Sequence, residues 1–528
     1  MKIINTLAAA AFALSASLAP TMARTPDDTL VVADAIDDVI SLDPGEVSEV
    51  GGVLTSNQIY QPLVSFDVSD PSNIKGVLAE SWTVSDDGKT FTFTMNPDAK
   101  FASGNPVTAH DAEYSLQRVV LMKSRSAFII TQFGFTPENV KERIRAIDEK
   151  TLVIEIDDAY AQSFLLYCLS SYVGGIVDSR LVKEHEVNGD FGNGWLKTQN
   201  SAGSGPFVLT RWEPKQSILL TRNENYWGEA PGVKRIFIQH NSESASQRLL
   251  LEKGDIDIAN KLGPDDFDAI VENPDIQTLN GPSGTIYYMG LNVRNEHLAK
   301  PGVVEAMKYL IDYQGIAETI GQGTMKVHQT LVPEGFLGAL DYNPYKLDVE
   351  KAKALLAEAG VSTGFKLETV VWNNPPYTDF AQAVQATMAQ AGIELDLQVV
   401  DGQQWLDRYR NHNLDIWVGL WGPDYPDPHS NAKAFVVNRE DAPDGSDSLA
   451  DRFGWDAGDL SSMAMAAVRE QDTEKRRKLY QEIQKSHTDT SPFLYMFQEV
   501  RRVAVSSKVK GLVLGVTFSD DRYWAVSK

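Results

Sequence analysis

LAESWTVSDDGKTFTFTM, residues 78–95, carries the reading on which the fold depends. Thr90 to Met95 alternate, with Phe91, Phe93 and Met95 on one side and threonines on the other. That period of two belongs to a strand with one buried face. Asp86-Asp87-Gly88 just before it is a turn signal, so Glu80–Met95 reads as a β-hairpin. Outward from the hairpin, TLVVAD (29–34) reads as a short buried strand, and 151–156, 236–240 and 286–292 as further strands. Residues 109–121 read as a helix with Thr108 as its N-cap. Val304, Met307 and Ile311 share a stripe that predicts a helix over 303–311. Val349, Ala352, Leu356 and Ala359 share another, with Asp348 to cap its start and Gly360 its end. Residues 473–484 read as a charged surface helix with an apolar seam. Strands and helices mix along the whole chain, which places it in the α/β or α+β classes.

WVGLWGPDYPDP (417–428) is the stretch richest in chemistry. An apolar, aromatic run ends in two carboxylates, Asp424 and Asp427, set among three prolines. Each Pro fixes its own φ and biases the preceding residue away from helix, so the turn is stiff. Carrying Trp421, Asp424 and Tyr425, it could present one negative charge beside ring faces, a surface suited to a ligand with a cationic amine and an apolar body. The same residues also read as a buried strand ending in an ordinary polar turn.

The first residues, MKIINTLAAAAFALSASLAPTMA, have a basic start, an apolar core from Leu7 to Leu18 and small residues at Thr21-Met22-Ala23. This is the pattern of a cleaved signal peptide, too short in its apolar part to span a bilayer. The mature chain is expected to begin near Arg24 and to be exported. The remainder of the 528 residues is long enough for two or three domains. A net charge of −24 argues against nucleic acid, whose affinity rests on Lys and Arg at the phosphates. It argues equally against anionic membrane surfaces. Cys168 is the only cysteine, so no intramolecular disulfide can form, and its apolar run SFLLYCLSS suits a small buried hydrophobe. An exported chain of this kind must rest on a large core.

No enzyme motif is present: there is no Gly-x-Ser-x-Gly, no His-Glu-x-x-His and no P-loop. Gly203-Ser204-Gly205 is followed by Pro206, which suits a turn and not a phosphate cradle. Asp424, Asp427 and His429 form a weak candidate metal set. Absence of motifs leaves open an exported hydrolase with Asp424 and a second carboxylate as acid and base, because catalytic sets are defined by geometry.

Several blocks together resemble the family 5 solute-binding proteins of bacterial ABC importers, the dipeptide-, oligopeptide- and nickel-binding type. They are Leu42-Asp43-Pro44 with VLTSNQIYQPLVSF (53–66), the hairpin block with KFASGNPVTAHDAEYSLQRV (100–119), and GSGPFVLTRWEPKQSILLTRNENYWG (203–228). YYMGLNV (287–293), VVEAMKYLID (303–312), DVEKAKALLAEAGV (348–361) and LWGPDYPDP (420–428) follow in the family's order. The resemblance implies an α/β, two-lobed periplasmic binding protein fold with an additional α+β domain inserted in the first lobe. It maps the signal peptide to 1–23 and the first lobe to 24–61, 200–283 and 498–528. The extra domain falls at 62–199 and the second lobe at 284–497, with the strand 286–292 and the segment 493–498 as the crossovers between lobes.

The resemblance further implies a periplasmic binding component that closes on a small solute, most simply a peptide, and delivers it to an inner-membrane ABC permease. It implies a monomer that needs neither catalysis nor a cofactor; no resident metal is expected from the weak Asp424, Asp427 and His429 set, and no nucleic acid from the charge. In peptide-binding relatives the Asp of a W-x-x-D turn pairs with the ligand's α-ammonium, which maps to Trp421-Gly-Pro-Asp424. The segment after Leu-Asp-Pro lines the cleft, which points to Ser48, Glu49 and Val50. Tyr288 and Trp405 are further candidates, though both also suit core packing. One departure stands out: dipeptide-binding relatives carry an Arg for the ligand carboxylate near Asn374-Pro375-Pro376-Tyr377, and WNNPPYTD (372–379) has none. A strict dipeptide loses a bidentate partner there, while longer peptides, opines, oligosaccharides and metal chelates remain open.

Overall fold

The computed structural model describes residues 24–68, 70–361, 364–442, 448–517 and 520–528; the signal-peptide reading of 1–23 lies outside the described residues. Two large sheets organise the molecule. A seven-stranded sheet runs in the order Ile276–Gly281, Arg501–Ser506, Ile258–Ala259, Thr29–Asp34, Arg235–His240, Ser217–Arg222, Phe207–Glu213. Its centre, Thr29–Asp34, is buried along its whole length and pairs in parallel with both neighbours. An apolar run without alternation is what a strand covered on both faces requires. A six-stranded sheet runs Met325–Val327, Phe493–Glu499, Ile286–Leu291, Ile416–Trp421, Phe365–Trp372, Ile393–Val400.

The hairpin read at 78–95 forms as Ala79–Val84 against Thr90–Met95. It extends through Thr151–Glu155 and Ile144–Ala146 into a four-stranded antiparallel sheet. Phe91, Phe93 and Met95 point into a core shared with the helix Ala109–Met122 and the helix Gln162–Ser170, which contains the buried Cys168. Thr108 precedes the first helix as its N-cap, and Asp111 accepts from both its N–H (2.9 Å) and its Oγ (2.6 Å). Leu42-Asp43-Pro44 acquires a structural meaning here. Asp43 accepts a bidentate pair from Arg118 at 2.6 and 2.8 Å and a further bond from Asn193 at 2.9 Å, all within the interior. Burial pushes its carboxyl up, but the Arg118 guanidinium outweighs this and holds it below the ordinary range.

The chain passes between the two large sheets twice, at 282–285 and at Val500. The segments expected as crossovers, 286–292 and 493–498, are instead strands inside the six-stranded sheet, because each pairs with neighbours on both sides there. The two passages are tied together. Ser283 Oγ donates to Glu499 at 2.6 Å, Gln498 Nε2 donates to the Ser283 carbonyl at 2.7 Å, and Glu499 N–H donates to the Thr285 carbonyl at 2.9 Å.

Candidate functional site

The strand Ile416–Trp421 lies between an antiparallel and a parallel neighbour, and Ile416 to Gly419 are buried. Its carboxyl end releases the chain into the turn 422–427, and the helix Pro428–Phe435 begins at once. Ligand sites in α/β sheets gather at such strand ends. Asp427 closes the turn. It accepts from the His429 N–H at 2.8 Å, capping the helix, and takes two bonds from Arg476 at 2.8 and 2.9 Å. Both members of that pair are buried. His429 packs edge-on against Phe164, and burial keeps its imidazole neutral by pushing its pKa well down. Asp427 and His429 are therefore occupied by structure, and among the described residues no group of three His, Cys, Asp or Glu is placed to hold a metal.

The turn separates two cavities. Pro423 faces one of about 210 Å³ beside the crossovers, lined also by Asp34, Val50, Asn260 and Glu499. Asp424 faces the other, of about 300 Å³, lined also by Phe128, Trp421, Tyr425 and Arg452. Asp424 receives one long hydrogen bond, from the Tyr172 hydroxyl at 3.4 Å, and among the described residues no cation pairs with it. Burial pushes its carboxyl up to about 6, opposed only by the Tyr172 bond. A buried carboxylate without a counter-ion is an expensive arrangement, and its usual meaning is that a charge is to be supplied.

Of the residues singled out in the sequence, Trp421, Asp424 and Tyr425 come together on this second cavity. Trp421 packs edge-on against Phe435, and its indole N–H has no acceptor among the described residues. Tyr425 is almost wholly buried, 5.8 Å from the Phe164 ring and 3.5 Å from the Gln132 side chain. Val50 lies on the other cavity as the first residue of the helix Val50–Ile59, with Glu49 at its N-cap position. Ser48 is exposed, and its Oγ donates to Glu49 at 3.1 Å. Tyr288 and Trp405 face neither cavity. Tyr288 is fully buried among Trp417, Phe435 and Phe493. Trp405 stacks between Trp417 and Trp372 and donates to the Val418 carbonyl at 3.2 Å.

Asn374 to Tyr377 do not line the Asp424 cavity either; the Tyr377 ring packs on Trp372, Trp405 and Tyr287. Sequence reading missed Phe128, Gln132, Tyr172 and Arg452. None of the four carried a local sign of the cavity; Phe128 sits in the apolar run Ala127-Phe128-Ile129-Ile130, yet remains 40% exposed.

The family model of bacterial extracellular solute-binding proteins, family 5 (middle), matches residues 73–442. The probable D,D-dipeptide-binding periplasmic protein of Escherichia coli (strain K12) is 31% identical over 501 residues, spanning 93% of this chain and 92% of that protein. The nickel-binding periplasmic protein of the same strain is 28% identical over 450 residues, spanning 80% and 82%. The ABC transporter-associated periplasmic binding protein of Helicobacter pylori, solved in complex with the peptide STSA, superposes with a TM-score of 0.79 at 23% identity, covering 94% of this chain and 98% of that one. That likeness extends the shared fold over nearly the whole molecule.

Proposed function

The chain belongs to the family 5 bacterial extracellular solute-binding proteins, and from that premise we propose that it captures a short peptide in the periplasm and passes it to an ABC permease of the inner membrane. The observation that carries this reading is Asp424, a carboxylate facing a cavity, held up to about 6 by burial and lacking a cation among the described residues. A peptide's α-ammonium supplies the missing charge, and Trp421 and Phe128 offer apolar surface for the first side chain. The names of two relatives support a peptide: one is a D,D-dipeptide-binding protein, and another was solved with STSA.

Asp424 is insufficient alone. A charge-assisted bond contributes about 1.5–3 kcal/mol, and a micromolar ligand requires about 8 kcal/mol. Closure of two lobes supplies the rest by burying the ligand and excluding water. We take the first lobe to be the seven-stranded sheet, the second the six-stranded sheet, and the inserted domain the four-stranded sheet with its helices. Tyr172 of that insert then meets Asp424 of the second lobe across the cleft. Membership of a family of binding proteins supports capture without catalysis, and among the described residues Asp424 is the only carboxylate lining this cavity.

Titration calorimetry with di- and tripeptides, in both L and D forms, tests the reading. Binding is expected, with Asp424→Asn weaker by roughly tenfold or more. Failure of every peptide to bind, or equal affinity in the variant, overturns it. Product formation on incubation would argue for a hydrolase instead.

A further inference from the structure

The single hydrogen bond that Asp424 receives among the described residues comes from a distant part of the chain. Its donor, Tyr172, opens the short 3-10 turn Tyr172–Gly174, one residue after the helix Gln162–Ser170. The segment that follows is seated against the first lobe. A Cβ on Gly175 would stand 2.9 Å from the Pro44 Cβ and 3.1 Å from the Tyr60 Cβ, so the backbone passes there in close contact. The Ile176 N–H donates to the Gln61 carbonyl at 3.0 Å, and the Asp178 N–H to the Ala202 carbonyl at 2.8 Å. Ser126 lies beside the Tyr172 oxygen and donates its own hydroxyl to the Val47 carbonyl at 3.0 Å. Val47, Ser126, Tyr172 and Asp424 thus form a line of polar groups from the Leu-Asp-Pro loop to the turn 422–427.

The Tyr172 side chain is buried, and its hydroxyl reaches Asp424 Oδ1 at 3.4 Å. Burial pushes the phenol well above its ordinary range, so Tyr172 keeps its proton and the carboxylate accepts. A bond to the ionised form favours that form, and here it is what opposes the effect of burial on Asp424. The other ionisable groups nearby do not share that task. Tyr425 and the Cys168 thiol are themselves held protonated by burial, and Asp427 is paired with Arg476. Lys433 and Arg452 line the same cavity without lowering the Asp424 carboxyl, and Arg452 lies over the Tyr409 ring and shares a side-chain hydrogen bond with it. Glu49 bears on Tyr172 from the first lobe.

We propose that Tyr172 is the positioning residue of the Asp424 site: in the ligand-free protein its hydroxyl keeps the carboxylate charged and aimed into the cavity, spanning the cleft where a ligand's cation will later be supplied. This deepens the reading of Asp424 as acceptor of an ammonium, and its binding test rests on that reading. A carboxylate that starts ionised need not shed a proton on binding, whereas one that starts protonated must, and affinity then falls with pH.

Tyr172→Phe keeps the ring and removes the donor. Tyr167→Phe is the control, since Tyr167 belongs to the same domain, donates to the Pro71 carbonyl at 2.7 Å and does not line the cavity. Affinities for Ala-Phe, D-Ala-D-Ala and Ala-Ala-Ala are measured by calorimetry from pH 5 to 8. Tyr172→Phe is expected to match the wild type at pH 8 and to bind roughly fivefold more weakly at pH 6, because the pH below which affinity falls moves up by about one unit. Tyr167→Phe is expected to keep the wild-type profile. A loss in Tyr172→Phe that is equal at every pH, or no loss at all, overturns the positioning role.

A second measurement needs no ligand: melting temperature from pH 4 to 8 for the wild type, Tyr172→Phe, Asp424→Asn and the double variant, which also establishes that each is folded. Ionising Asp424 lowers stability as pH rises, and without its donor that fall is expected to be larger and to extend to higher pH. In the Asp424→Asn background the pH-dependent effect of Tyr172→Phe is expected to vanish. The same pH dependence with and without the hydroxyl overturns the proposal. If the dependence changes as expected but no peptide binds, the coupling of Tyr172 to Asp424 stands and the peptide reading alone falls.

Discussion

At the scale of single residues, two aspartates three positions apart in one turn have opposite characters. Asp427 is buried and fully paired with Arg476; Asp424 faces a cavity with only a long bond from Tyr172. Burial raises the Asp424 carboxyl to about 6, against an ordinary value of 3.8. Between those values the folded protein holds a proton that the unfolded chain has released. Ionising Asp424 as pH rises through that window therefore lowers the stability of the ligand-free protein. Binding of an ammonium ligand runs the other way, because the complex requires the carboxylate. Affinity is expected to be level above pH 6 and to fall by up to tenfold per pH unit below it. Asp424→Asn should flatten that profile, which calorimetry between pH 4.5 and 8 can read; an unchanged slope would place the titrating group elsewhere. Asp520, buried and also raised to about 6, shares the stability trend but not the ligand. The character of Asp424 was half legible in the sequence. The stiff turn and its aromatic neighbours could be read locally, but Tyr172 lies 252 positions away and gives no local sign of meeting it. Arg452 was hidden for the same reason.

At the scale of elements, the contrast becomes a stability prediction. The Asp427–Arg476 pair joins the start of the helix Pro428–Phe435 to the helix Thr473–Thr490, and Asp43–Arg118 ties the Leu-Asp-Pro loop to the helix Ala109–Met122. Removing one partner of such a pair leaves an uncompensated charge in the interior, at a cost of about 3–5 kcal/mol. Asp427→Ala and Asp43→Ala are each expected to lower the denaturation midpoint markedly, while Asp424→Asn leaves it level or higher. A small effect of Asp427→Ala would mean that Arg476 finds water or another acceptor. The Asp43 contribution has its own pH sign. Its carboxyl is depressed in the folded state, so the stability it adds is present above about pH 4 and lost as pH falls further. Elements of this kind were the most legible part of the chain. The 79–95 hairpin, the capped helix at 109 and the helix Val349–Glu358 with its Asp348 cap all follow from local period and cap chemistry. The helix begun at Thr473 runs on to Thr490, past the expected 484, because Ile483, Gln484, His487 and Thr488 continue its buried seam. Strand order was not legible, since Thr29–Asp34 pairs with residues some two hundred positions away and the pairing leaves no local period.

At the scale of the molecule, the question is what holds the two large sheets in their present relation. Only residues 282–285 and Val500 join them covalently, and the hydrogen bonds among Ser283, Gln498 and Glu499 keep those passages side by side. Paired short links resist twisting of one lobe on the other but tolerate bending about the line they define. The four-stranded domain also meets the second lobe, through Phe164 on Tyr425, the Asp158–Arg469 pair at 2.5 Å, and Ala161 N–H on the Val468 carbonyl at 2.8 Å. Of these, the Phe164–Tyr425 contact adjoins the Asp424 cavity, which Tyr425 lines. Opening must therefore separate them, and a ligand that fills the cavity favours the enclosed form by its differential affinity for that form. Two results follow. Saturating peptide, at about a hundred times its dissociation constant, should add about 2.7 kcal/mol of stability, seen as a rise in melting temperature. The same addition should reduce the radius of gyration measured by small-angle X-ray scattering. Weakening the Asp158–Arg469 contact by Arg469→Gln should enlarge the ligand-free radius while leaving the saturated one close to wild type, because the ligand, once bound, again holds the lobes together. If the radius is the same with and without every peptide that binds, the lobes do not move, and the ligand must enter a cavity that is already formed.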